Sequence, residues 1–85
     1  VDDELIEVFV EELRRLGGEL LDGLGSSDAE MVRSAAHSIK GMGGTIGLPE
    51  ISVLALTIEN LAKAGRLGDS RPLIEALVNW ATQLS

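Results

Sequence analysis

His37 is the only histidine of the chain, and cysteine is absent. Thiolate nucleophiles, thiolate metal sites and disulfides are excluded together. One imidazole is left as the side chain best suited to nucleophilic work near neutral pH. A metal site is not expected, because a single histidine with no second at i+4 falls short of the usual three or four ligands. At about 100° per residue, a helix through this stretch gathers Val32, Ala35, Ile39, Met42 and Ile46 into one arc and turns His37 to the opposite side. Arg33, Lys40, Gly41 and Gly44 share the face of His37. Gly41, Gly43, Gly44 and Gly47 crowd the same region, although a glycine inside a helix costs about 0.5–1 kcal/mol relative to alanine. Small residues beside an outward imidazole would let another protein's active site close over the ring. Without those neighbours His37 would read as an ordinary solvated residue, and Lys40 as an ordinary surface lysine.

The elements that must hold this face are helices. Between Asp2 and Leu24, Leu5, Val8/Phe9, Leu13, Leu16, Leu20 and Leu24 recur at three- and four-residue steps, which predicts a long amphipathic helix. Gly17-Gly18 is its weak point, at about 1 kcal/mol per glycine. Ser27 and Glu30 have the spacing of a capping box, so a second helix is expected over about 28–46, ended by Gly47-Leu48-Pro49. A third, over about 49–64, carries Ile51, Leu54, Ala55, Ile58, Leu61 and Ala62 on its apolar stripe, with Val53 and Leu56 off it and Gly65 as a stop. Asp69 or Ser70 should cap a fourth over about 70–84, with Leu73, Ile74, Leu77, Ala81 and Leu84 inward and Trp80 closing one end of the core. Strand alternation and internal repeats are missing, so the expected fold is all-α, an antiparallel up-down four-helix bundle.

Eighty-five residues make one domain with one modest core. Phe9 and Trp80 are the only aromatics, so aliphatic side chains must fill it. Fourteen acidic against seven basic residues give a net charge of −7, which argues against nucleic acid as a partner because no basic surface can displace counterions. The longest apolar run, Val53 to Leu56, is far short of the ~20 residues that cross a bilayer. The acidic N-terminus is unlike a signal peptide. A cytoplasmic, monomeric domain is expected, cut from a larger signalling protein since it begins without methionine.

The run Ala36-His37-Ser38-Ile39-Lys40-Gly41, followed by Gly47 and later by Glu59, resembles the signature of histidine-containing phosphotransfer (HPt) domains, A-H-x-L/I-K-G with a glycine six residues on. The likeness covers most of the chain, and the His-Ser-Ile-Lys-Gly form with Gly44-Thr45 is similar to the phosphoacceptor (P1) domain of chemotaxis-type histidine kinases. The resemblance implies that His37 accepts a phosphoryl group on its distal ring nitrogen from an aspartyl phosphate of a response-regulator receiver, and returns it. Free imidazole titrates near about 6.5, so much of it is neutral at pH 7. Lys40 would offset the phosphoryl charge, and Glu59 would accept a hydrogen bond from the other ring nitrogen, fixing the tautomer. Arg33 could steer a phosphate or pair with Glu30. Gly41 and Gly44, with an apolar patch at Val53 and Leu56, would receive the partner unless a slight rotation buries the two apolar residues. With no nucleotide loop and no carboxylate cluster, the chain is expected to need no cofactor of its own. The receiver would bring Mg²⁺, and the domain would be a phosphocarrier and not a self-sufficient enzyme. Two alternatives remain: the P1 segment of a kinase, fed from ATP on a separate catalytic domain, or a degenerate receiver-docking module.

Overall fold

A computed structural model describes residues 3–83, and among them every regular element is helical: α1 (Asp3–Gly25), α2 (Ala29–Ile46), α3 (Pro49–Lys63) and α4 (Arg71–Gln83), with a 3-10 turn at Leu67–Ser70 before α4. The expected helix start at Asp2 and the inward-facing Leu84 lie outside the described residues. All four helices supply one core, in which Leu13, Leu20, Val32, Ile39, Ile58, Ile74 and Leu77 are fully buried. Trp80 packs against it half-buried.

Gly17-Gly18 does not break α1, which runs unbroken for 23 residues. Leu13, Leu16, Leu20 and Leu24 are buried on both sides of the pair. At about 1.5–3 kcal/mol per buried side chain, that burial outweighs two glycine penalties. The expected inward stripe fails only at its start, where Leu5 and Val8 are exposed and the core begins at Phe9. Among the described residues, α4 does not reach them. A 23-residue helix spans about 35 Å against about 20 Å for the 13 residues of α4. Arg71 of α4 lies level with Leu24, and Val78 lies beside Gly17. The first turns of α1 therefore run past the described residues of α4.

Two caps differ from expectation. Asp28, not Ser27, caps α2 by accepting from the Met31 amide at 3.1 Å, because Ser27 takes the left-handed turn (φ 57°) that redirects the chain. Before α4, Asp69 pairs with Arg66, and the buried Ser70 donates to the Leu67 carbonyl at 2.6 Å. Both residues are therefore taken up by the 3-10 turn, and α4 starts at Arg71.

The corner between α2 and α3 sets the register of the site. Gly47 ends α2 at φ 84°, and the amides of Gly47 and Leu48 both donate to the Gly43 carbonyl, at 3.0 and 2.8 Å. Ser52 Oγ of α3 donates to the Lys40 carbonyl of α2 at 3.0 Å. This close approach needs Gly43. A Cβ there would stand 2.7 Å from Ser52 Oγ, 3.1 Å from the Ser52 nitrogen and 3.2 Å from the Leu48 oxygen. Two of those atoms are backbone and cannot step aside. Gly43→Ala is expected to cost about 1–3 kcal/mol by overpacking, read as a lowered midpoint in urea unfolding.

Candidate functional site

His37 and Lys40 of α2 and Glu59 and Lys63 of α3 form one polar cluster where the two helices meet. Glu59 falls on the buried row Ala55, Ile58, Ala62 of α3 and is itself 3% exposed. An isolated carboxylate there would be costly. Three cationic or proton-donating groups meet it. Oε2 lies 3.1 Å from His37 Nδ1 and 3.6 Å from Lys63 Nζ, and Oε1 lies 3.6 Å from Lys40 Nζ. Burial pushes the Glu59 carboxyl up, but the hydrogen bond from His37 and the charges of Lys40, Lys63 and His37 outweigh it and hold the group below its ordinary value.

An ionised carboxylate can only accept, so Nδ1 of His37 carries the proton in this pair, and in the neutral ring Nε2 bears the lone pair. The His37 side chain is 63% exposed, as the helical arc requires. The ring is therefore held from behind by Glu59 while most of the side chain is open to solvent. Gly41 and Gly44 are exposed beside it. At Gly41 nothing lies within 4 Å of the place of a Cβ, and at Gly44 only Ser52 Oγ does, at 3.9 Å. Arg33 is bound to Glu30 one turn back, the i,i+3 pairing that spacing alone allowed.

Val53 and Leu56 are 63% and 41% exposed, so rotation does not bury them. Val53 lines a shallow depression with Pro49, Leu54 and Thr57. A larger groove, of about 510 Å³, adjoins the imidazole and is lined by Leu5, Val8 and Phe9 of α1 with His37, Gly41 and Met42 of α2. The periodicity does not show this groove, because it puts Leu5 on the apolar stripe and leaves Val8 and Phe9 as alternatives there. Sequence reasoning also missed Lys63, whose signal was the favourable Glu-to-Lys i,i+4 spacing from Glu59. Among the described residues, no group of three or more His, Cys, Asp or Glu side chains gathers where a metal could bind. No described helix is long and apolar enough to cross a membrane.

The lowered Glu59 pKa has a definite sign in stability. A carboxylate whose folded value is depressed contributes fully above the unfolded value and loses that contribution as pH falls through the folded one. Glu59→Gln is therefore expected to be less stable than the parent at pH 7, with the gap closing as pH drops below about 4. Urea unfolding of both proteins at pH 7 and pH 3 checks this.

In comparisons with known proteins, residues 4–85 match the family model described as Hpt domain. The curated proteins and the solved structures each yielded no match.

Proposed function

Since the chain belongs to the Hpt domain family, whose members are phosphocarrier modules of two-component signalling, we propose that His37 is its phosphoacceptor, exchanging a phosphoryl group with the aspartate of a response-regulator receiver. The observation that carries this reading is the exposed imidazole whose Nδ1 rests 3.1 Å from a buried carboxylate. The Nε2 lone pair attacks phosphorus, and the P–O bond to the receiver's aspartate breaks, with the electron pair leaving on the carboxylate. The ring emerges as a phosphoimidazolium whose proton stays on Nδ1, donated in a hydrogen bond to Glu59, so no proton need move during transfer. Nearly two units of negative charge arrive at Nε2. Lys40, one turn along α2, meets them, while the receiver supplies Mg²⁺ and most of the charge neutralisation.

The partner's active site would close over Gly41 and Gly44, and an apolar element of the receiver would lie in the groove of Leu5, Val8 and Met42 or against Val53 and Leu56, with Arg33 at the rim. The up-and-down helix order, a monomeric state, a cytoplasmic location and a larger parent protein belong to the same reading. A second reading is the P1 segment of a chemotaxis-type kinase, favoured by the His37–Glu59 contact, with ATP on another domain as donor. Transfer from candidate phosphorylated receivers, compared with transfer from a kinase catalytic domain, separates the two. If neither donor labels the chain, the phosphocarrier reading is wrong.

Lys40→Ala is expected to slow transfer by about 10- to 150-fold, the equivalent of the roughly 1.5–3 kcal/mol of a charge-assisted hydrogen bond. Its circular dichroism should stay that of the parent. Equal rates would remove Lys40 from the mechanism.

A further inference from the structure

We propose that Lys63 is the resident counter-ion of Glu59, a positioning residue that keeps this carboxylate on His37 Nδ1 while Lys40 turns to the phosphoryl group. The proposal rests on the phosphocarrier reading and assigns a second lysine a different task in the same site.

Glu59 has two oxygens and three partners. Lys40 takes Oε1 alone, whereas Lys63 shares Oε2 with the imidazole, at 3.6 and 3.1 Å. In the resting site Lys40 thus neutralises Glu59, yet the phosphoryl oxygens need the same ammonium. One point charge on a flexible stem cannot serve both fully. When Lys40 leaves, a carboxylate only 3% exposed would keep the ring as its sole partner unless another cation stood by. It would then hold Lys40 back, or take up a proton and stop accepting from Nδ1. Lys63 removes that conflict. It lies one turn beyond Glu59 on the same helix, in the order that favours the pair, and is bound to that position whatever α2 carries.

The remaining charges around the ring do not substitute for it. On α2, Arg33 feels the charge of Glu59 at longer range, but its hydrogen bonds go to Glu30. On α1, Glu12 lines the groove beside His37 but is paired with Arg15. Among the described residues, Lys63 alone shares the oxygen that receives Nδ1, so it also tempers the pull of Glu59 on the ring proton. Removing its charge should favour the protonated ring.

The test uses Lys63→Met, which keeps the stem and loses the charge, and Lys63→Arg, which keeps the charge. Lys63 is 55% exposed, so both variants should fold. In Lys63→Met, the pH midpoint of the His37 ring resonances is expected to move upward from that of the parent, with Lys63→Arg close to the parent. Phosphotransfer supplies the second measurement. Lys40→Ala should cost about threefold less, or better, in the Lys63→Met background than in the parent, because Lys40 is then retained by Glu59; coupling of this size is the low end for groups sharing a partner. Should the parent accept phosphate on His37 while the midpoint and the Lys40→Ala effect are unchanged by Lys63→Met, the proposal is overturned and the phosphocarrier reading stands. Should the parent take no phosphate on His37, that reading fails and this role falls with it.

Discussion

His37→Gln is expected to reduce phosphate labelling from a phosphorylated receiver to background while leaving the helical content of the chain unchanged. Covalent transfer needs a nitrogen with an available lone pair, and a glutamine amide offers none. The fold should tolerate the change, since the side chain is 63% exposed and the amide can still donate to Glu59. Comparison of labelling with circular dichroism on one preparation separates loss of chemistry from loss of structure. Labelling of the variant at the parent's rate would place the phosphate on another residue.

Ile58→Ala is expected to have the largest effect on stability. Ile58 is fully buried beside Glu59, and truncating such a side chain costs about 2–5 kcal/mol. At about 0.05–0.15 kcal/mol per residue, 85 residues hold a total of roughly 4–13 kcal/mol, so the loss is a large fraction of the whole. Denaturant unfolding should show a lowered midpoint with an unchanged slope. Val53→Ala, on the same helix but 63% exposed, should stay within about 0.5 kcal/mol of the parent. Similar losses at the two positions would mean that α3 is rotated from the orientation described.

The helices and the outward side of His37 were legible because one physical rule governs both. Residues three and four apart share a face, so burying Val32, Ala35 and Ile39 leaves an imidazole at position 37 no inward direction. The motif around it then carried the family, whose match spans residues 4–85. What escaped was what depends on the meeting of separate segments. Periodicity put Leu5 on the stripe and left Val8 and Phe9 as alternatives, because it cannot tell which turns a neighbouring helix covers. The groove beside His37 lies between α1 and α2, beyond the reach of the described residues of α4. The α2 cap moved from Ser27 to Asp28 because the turn needed a left-handed residue, which a capping-box spacing does not encode. Gly43 stands out in the sequence only as one of a run of glycines, yet it is the point where α3 presses on α2, while Gly41 and Gly44 are open. Lys63 was hidden for a related reason. Its importance comes from the burial of Glu59, which only the packing of α3 against α2 creates.

The most direct test locates the phosphorus atom. The chain, labelled with ¹⁵N in its imidazole and phosphorylated by a receiver, can be examined by long-range proton–nitrogen correlation NMR. Phosphate on Nε2 of His37, with Nδ1 still protonated toward Glu59, is the expected result. Phosphate on Nδ1, on the adjacent Ser38, or on no histidine nitrogen would contradict the assignment of His37 Nε2 as the carrier atom.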